Sequence, residues 1–128
     1  MKIIIPMTGK SKRFKEVGIN TPKQFLSISN KTIIEHTLDM FPGEKDINFI
    51  ISTEDSSDES LKNYFKKISK YNFTVIDYQK AGPGAAVLES GLLETNDDVL
   101  INYCDFSNIW DWKDFLSFIK EKSPDGVI

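Results

Sequence analysis

The chain is short of the residues that staple, ligate or anchor a protein. A single cysteine, Cys104, excludes an intramolecular disulfide and any zinc site built from cysteines. No apolar run approaches the roughly 20 residues that a bilayer-spanning helix needs, which argues against membrane insertion. The N-terminus lacks the pattern of a secretory signal, so the cytoplasm is the default compartment. Neither an internal repeat nor a low-complexity segment is present. Basic charge is not in excess either: the net charge of −3 argues weakly against a general nucleic-acid binder, which would carry a strongly basic face.

What is present is the composition of an ordinary globular protein, with 40% apolar and 27% charged residues over 128 positions. That length allows one domain at most, residues 1–128, with a real core. Short apolar runs alternate with amphipathic ones, the pattern of a parallel α/β sheet. Ile3 to Met7, Ile47 to Ile51, Phe73 to Tyr78 and Val99 to Ile101 are predicted as strands. Phe25 to Ile28 is predicted as a short extended piece, and Val127-Ile128 as the start of a fifth strand.

Helices are expected between the strands. Thr32-Ile33-Ile34-Glu35 has the form of a capping box, followed by an apolar stripe of Ile34, Leu38 and Phe41 that Pro42-Gly43 ends. Leu61, Phe65 and Ile68 form a second stripe, and Ser52 to Ser57 before it is expected to be a polar turn. Ala85 to Leu93 is predicted helical behind the break at Gly82-Pro83-Gly84. The last helix starts near Asp111 and buries Trp112, Phe115, Leu116 and Ile119.

Right-handed crossovers would put helices on both sheet faces and all strand carboxyl ends at one edge, where open α/β sheets bind ligands. That edge would gather Thr8–Arg13, Ser52–Asp55, Gln79–Gly84 and Tyr103–Asn108.

The chemistry-bearing residues fall in those loops. Thr8-Gly9-Lys10-Ser11-Lys12-Arg13 is neither G-x-x-x-x-G-K-[ST] nor G-x-G-x-x-G, which excludes the P-loop and dinucleotide-binding readings on spacing. A polar turn remains, whose N–H groups can form an anion nest and whose Arg13 can fork two phosphate oxygens. Charge alone leaves a solvated loop equally open. Lys23 follows the rigid Pro22, as many surface lysines do. Gly84 and Ala85 open a helix that a ligand could approach closely, although a tight packing turn explains them as well. Asp105, at the end of a buried strand, needs a partner, water or a metal, and Mg²⁺ is the natural ion there. Asp97 and Asp98 lie at the opposite end of that strand, Cys104 is a buried hydrophobe, and His36 sits on a helix away from the edge.

In this order the pieces resemble the sugar-phosphate nucleotidyltransferases. The pattern is P-M-x-G-x-x-x-R-F, then P-K-x-[FL]-x-x-[IV]-x-x-K-x-[IM]-I-E-H, a G-A-A turn and a strand ending in C-D. It extends from Lys2 to about Leu116, and its most specific block runs through His36. The subgroup most similar is that of bacterial capsule polysaccharide synthesis; cytidylyltransferases for choline phosphate and other phosphorylated small molecules share much of the block.

The resemblance implies a Rossmann-like three-layer α/β/α fold with a mainly parallel sheet, the GT-A-like nucleotidyltransferase fold, here truncated. It implies transfer of a nucleoside monophosphate from a nucleoside triphosphate to a sugar 1-phosphate, with release of pyrophosphate. A phosphorylated non-sugar acceptor and an inactive nucleotide-binding module are the alternatives. By the same resemblance, Met7, Thr8, Gly9, Lys10, Gly84 and Ala85 would bind the nucleotide. Arg13 would grip the β- and γ-phosphates, Lys23 the α-phosphate, and Asp105 would ligate Mg²⁺. Relatives of this kind carry a second glycine and a small hydroxyl where this chain has Ser11 and Lys12. They also place a second metal-binding aspartate and most acceptor contacts in a C-terminal half.

Overall fold

The computed structural model describes residues 1–77 and 81–128. Among the described residues six strands form in chain order: β1 (Lys2–Pro6), β2 (Ser27–Ile28), β3 (Lys31–Thr32), β4 (Ile47–Ser52), β5 (Asn72–Ile76) and β6 (Val99–Ile101). The α-helices are α1 (Lys12–Glu16), α2 (Ile33–Leu38), α3 (Thr53–Ser57), α4 (Lys62–Lys67), α5 (Pro83–Glu89) and α6 (Trp112–Lys122). Four strands build one wholly parallel sheet in the order β5-β4-β1-β6, while β2 and β3 pair antiparallel as a separate small ribbon.

The apolar run of β1 explains its central place. Ile3, Ile4 and Ile5 are each 0% exposed, because a strand flanked by parallel neighbours and covered on both faces has no solvent side. Full burial of such side chains contributes roughly 1.5–3 kcal/mol apiece. Ile3 and Ile5 join Phe49, Ile51, Phe25, Ile34, Phe41 and Trp112 on one face, which α2, α4 and α6 cover. Ile4 and Ile50 look the other way, toward Ala86 and Val87 of α5. The molecule is therefore a three-layer α/β/α sandwich, as the alternating pattern implies. Among the described residues no helix is long and apolar enough to cross a membrane.

Several boundaries differ from the sequence expectation, each for a local reason. Ser52 to Ser57 is not a plain turn: Ser52 Oγ accepts from the Asp55 N–H at 3.0 Å and starts α3, with acidic Glu54 and Asp55 in its first turn. The helix expected over Ala85–Leu93 begins earlier and stops earlier. Pro83 fixes its first turn, and Gly91 ends it with a φ of 69°, which only a residue tolerant of the left-handed region supplies cheaply. Phe25 closes a 3-10 turn, Lys23–Phe25, so only Ser27 and Ile28 of the expected extended piece are strand. Val127 and Ile128 are exposed and pair with no described strand, so no fifth strand forms there among the described residues. Without a neighbouring ladder, β-branched residues alone do not make a strand. Tyr78, the expected end of the third long strand, and Gln79, expected at the ligand edge, lie outside the described residues.

Candidate functional site

In the main sheet, chain order runs β1, β4, β5 outward on one side, and then returns to place β6 on the other side of β1. The strand order thus reverses between β1 and β6. In open parallel sheets the loops leaving two such strands diverge and leave a crevice outside their carboxyl ends, which is where ligands bind. Here the flanking loops are 7–11 after β1 and 102–111 after β6.

The β1 side begins with Met7, whose N–H extends the ladder to Ile50 O at 2.7 Å and whose side chain is buried in the core. Any ligand role for Met7 therefore falls to its carbonyl. Thr8 is buried, Gly9 is exposed, and Ser11 turns the loop with φ 49° and ψ 36° before α1. Lys12, Arg13 and Lys15 all ride on this single helical turn, which buries none of its residues. Lys10 instead reaches sideways to Glu54 of α3, with Nζ 2.7 Å from Oε2. That hydrogen bond, and the lysine charge behind it, hold the Glu54 carboxyl below the usual carboxylate range.

Lys23 is delivered by a packed anchor rather than by prolyl rigidity alone. Phe25, two residues on, is buried, stacks on Tyr64 at 4.8 Å between ring centroids and meets Phe65 edge-on at 5.6 Å. The Phe25 N–H closes the turn onto Pro22 O at 2.9 Å. Across the crevice, Lys23 Nζ lies 2.6 Å from Asp105 Oδ2, an ion pair between residues 82 apart in sequence. Both side chains are about one-third exposed, 31% and 37%. A pair this wet contributes little to stability, typically about 0–1 kcal/mol, so its interest lies in what it brings together.

Asp105 differs from expectation in its setting. It is not at the end of a buried strand, because β6 ends at Ile101 and the chain turns away. The Asn102 N–H still bonds Ile4 O at 3.0 Å, and then Asn102 Nδ2 donates to Tyr103 O at 2.8 Å and lies 3.2 Å from Phe106 O. The Thr37 hydroxyl, 0% exposed on α2, faces the same turn, 3.1 Å from Phe106 O and 3.3 Å from Cys104 O. Two buried polar groups therefore hold the turn that carries Asp105. Sequence reasoning missed both, although a threonine inside an otherwise apolar helix stripe is a visible signal. Cys104 beside them is buried as expected, and burial pushes its thiol up to about 12.

Gly84 and Ala85 lie in the first turn of α5, which enters from the carboxyl end of the sheet after β5. Gly82, just before, has φ 93° and needs glycine for its backbone. Gly9 and Gly84 do not: neither has a positive φ, and a Cβ on either would meet nothing within 4 Å. Protein packing gives no reason for glycine at those two positions. His36 Nε2 lies 3.0 Å from Ile28 O, a carbonyl to which only its N–H form can donate, and takes no part in the crevice.

The cleft lined by Gly9, Lys10, Ser11, Ser52, Glu54 and Asp55 holds about 70 Å³. Enclosed small-molecule pockets usually measure roughly 300–1,000 Å³, so this cleft is too small to enclose a nucleotide by itself. Within it, burial raises the Asp55 carboxyl above its ordinary pKa, against a smaller opposing effect of the Ser52 hydrogen bond.

A family model described as 2-C-methyl-D-erythritol 4-phosphate cytidylyltransferase matches residues 1–77. The protein of that name from Buchnera aphidicola subsp. Acyrthosiphon pisum is 34% identical over 130 residues, covering 98% of this chain and 52% of its own length. Its counterpart from Neisseria meningitidis serogroup C / serotype 2a is 29% identical over 104 residues, 77% of this chain and 44% of that protein. The chain thus spans about half the length of the curated relatives it matches. Two solved structures share the fold. The nucleoside-diphosphate-sugar pyrophosphorylase from Vibrio cholerae RC9 superposes with a TM-score of 0.62 at 20% identity, covering 89% of this chain and 52% of that one. UDP-glucose pyrophosphorylase complexed with UDP-glucose gives 0.62 at 22%, covering 95% and 54%.

Proposed function

The chain belongs to the 2-C-methyl-D-erythritol 4-phosphate cytidylyltransferase family of nucleotidyltransferases, and from that premise we propose that the crevice between β1 and β6 holds a nucleoside triphosphate, CTP before others. A phosphate oxygen of a phosphorylated sugar or sugar-derived acceptor attacks the α-phosphorus, the α–β phosphoanhydride bond breaks, and pyrophosphate leaves. Such transfer demands positioning and charge neutralisation more than covalent participation by the protein. The observation that carries this proposal is the 2.6 Å contact of Lys23 with Asp105, which ties the Lys23–Phe25 turn to the β6 loop at the switch point.

The roles follow from placement. Arg13 is exposed on α1 and, among the described residues, has no ion-pair partner, which leaves its guanidinium for the β- and γ-phosphates. Lys23 exchanges Asp105 for the α-phosphate and neutralises charge as the pentacoordinate phosphorus forms. The backbone at Thr8, Gly9, Gly84 and Ala85 meets the nucleoside, with the bare glycines allowing the approach. Lys10 screens the outer phosphates from the Glu54 side.

Asp105 offers one carboxylate about one-third exposed, and no described cluster of three His, Cys, Asp or Glu stands ready to cage a metal. This donor set fits a Mg²⁺ that arrives already held by phosphate oxygens, since Mg²⁺ typically takes one or two carboxylates plus substrate. Asp105 would hold that ion, which neutralises triphosphate charge when bound. The cytoplasm, where nucleoside triphosphates are kept, is the compartment this chemistry requires.

The family match over residues 1–77 favours a phosphorylated polyol such as methylerythritol 4-phosphate as acceptor. A sugar 1-phosphate is the second candidate, because the pattern from Pro6 to His36 is shared by both kinds of transferase. Pyrophosphate release should be measured with CTP, UTP, GTP and dTTP against methylerythritol 4-phosphate, a sugar 1-phosphate and choline phosphate. The expected outcome is turnover with CTP and a sugar-derived acceptor, reduced about 10²-fold or more by Arg13→Ala or Lys23→Ala. Undiminished turnover in both variants contradicts the residue roles, and nucleotide binding with no turnover favours a silent module.

A further inference from the structure

We propose that Ser11 is a positioning residue: a serine held in a glycine-like conformation whose hydroxyl fixes the backbone of Lys23. Its consequence for catalysis rests on the nucleotidyl transfer proposed above; the contact itself does not.

The other caps of this molecule show what Ser11 does differently. Thr32, Ser52, Asp58 and Asp111 each precede a helix with φ between −74° and −87°, and each side chain accepts an N–H from the helix it begins. That is the ordinary arrangement, an extended residue whose oxygen satisfies one of the helix's unpaired donors. Ser11 precedes α1 with φ 49°, and its side chain makes no bond to that helix. Its Oγ instead accepts the Lys23 N–H at 3.1 Å, from a residue 12 positions further along.

The left-handed backbone is the reason this is possible. A residue there sends its side chain off the opposite side of the turn, away from the helix it precedes and toward the strand–turn segment alongside. Among the described residues the two other non-glycine residues with positive φ have plainer explanations: Ser29 turns the β2–β3 ribbon and Ser123 ends α6. A glycine at position 11 would adopt the same φ without strain but would have no hydroxyl to offer.

The donor it serves is otherwise unpaired in its own element. Lys23 opens the 3-10 turn Lys23–Phe25, so its N–H has no carbonyl behind it within the turn. With Ser11 on its amide and Asp105 on its Nζ, Lys23 is gripped at both ends, and a continuous line of contacts runs from the β1 loop to the β6 loop. The loop bearing Arg13 and the segment bearing Lys23 are thereby fixed in register. When Lys23 leaves Asp105 for phosphate, its backbone stays where Ser11 holds it.

The test uses the whole chain and the variants Ser11→Ala and Ser11→Gly, each with and without Lys23→Ala. Amide hydrogen exchange at Lys23 is followed by NMR without ligand, and pyrophosphate release is followed with Mg²⁺–CTP and acceptor. Loss of the hydroxyl should speed Lys23 exchange about tenfold and lower kcat about five- to tenfold, with KM for CTP nearly unchanged. Combined with Lys23→Ala, the Ser11 substitutions should add no further loss, because Ser11 acts through Lys23. Unaltered Lys23 exchange in Ser11→Ala overturns the proposal, as does an equal loss of rate on top of Lys23→Ala. Ser11→Gly, which suits the positive φ, carries the test should Ser11→Ala fail to fold. A chain that exchanges as expected yet releases no pyrophosphate sinks the proposed activity and upholds the positioning contact.

Discussion

Thr37→Val isolates the part of the fold that presents Asp105. Valine matches threonine in shape, so the change opens no cavity and removes one hydroxyl from a site that is 0% exposed. That hydroxyl faces Phe106 O, Cys104 O and Ile33 O at 3.1, 3.3 and 3.2 Å, with a single proton to share among them. Ile33 O is a helical carbonyl with a lesser stake. Phe106 O keeps Asn102 Nδ2 at 3.2 Å, whereas Cys104 O has no other donor among the bonds described. One buried carbonyl is thus stranded and one is weakened. Stranding a buried acceptor costs about 1–3 kcal/mol, and partial compensation within the turn puts the loss near the lower half, about 1–2 kcal/mol. For a domain of 128 residues that is roughly a 4–8 °C fall in Tm. Urea unfolding followed by tryptophan fluorescence reads the loss directly, because Trp110 and Trp112 pack on Phe41 in the adjoining core. The m-value should stay constant while the midpoint falls. A variant as stable as the parent would show that the turn stands without Thr37, and the account of how Asp105 is delivered would be wrong.

Two further outcomes follow from groups whose protonation the fold shifts. The capping box of α2 joins the Thr32 N–H to Glu35 Oε2 at 2.7 Å, and this backbone bond, then the bond from the Thr32 hydroxyl, lowers the Glu35 pKa from 4.5. A lowered carboxylate stabilises the fold above its unfolded pKa and loses that contribution as pH falls through the folded value. Glu35→Gln should therefore cost about 0.5–1 kcal/mol at neutral pH, and the gap to the parent should close in urea titrations run well below pH 4.5; a gap that persists in acid contradicts the box. For Cys104, a thiol pushed up to about 12 by burial stays protonated at mildly alkaline pH, so a colorimetric disulfide reagent should react about 10³-fold more slowly than with free cysteine until urea is added. Immediate stoichiometric reaction of the native chain would show that the 104 turn is open.

Much of this architecture was legible in the letters. Ile3–Ile5 and Ile47–Ile51 announce central strands because burial on both faces leaves no alternation to interrupt. The Thr32–Glu35 box and Asp111 mark helix starts through side chains that satisfy specific donors. Less legible was anything decided by contacts distant in sequence. The polar string Ser52–Ser57 hides a capped helical turn, since composition reads as loop until the Ser52 bond to Asp55 is seen. Asp105 lies beyond the carboxyl end of β6, but its turn depends on Thr37, 67 residues from the Cys104 carbonyl it faces. The conformation of Ser11 is invisible for the same reason: a positive φ in a non-glycine residue shows itself only together with the distant contact it permits, here with Lys23. Pairwise facts of that kind cannot be read from spacing.

The central claim, that the carboxyl edge between β1 and β6 is a triphosphate site, is tested most directly by isothermal titration of the chain with CTP and Mg²⁺. Arg13→Ala and Lys23→Ala are titrated alongside, after circular dichroism has shown both to be folded. Saturable binding of one nucleotide per chain, weakened about tenfold or more by either substitution, is the predicted result. No heat of binding in the parent chain, or equal affinity in all three proteins, would contradict it.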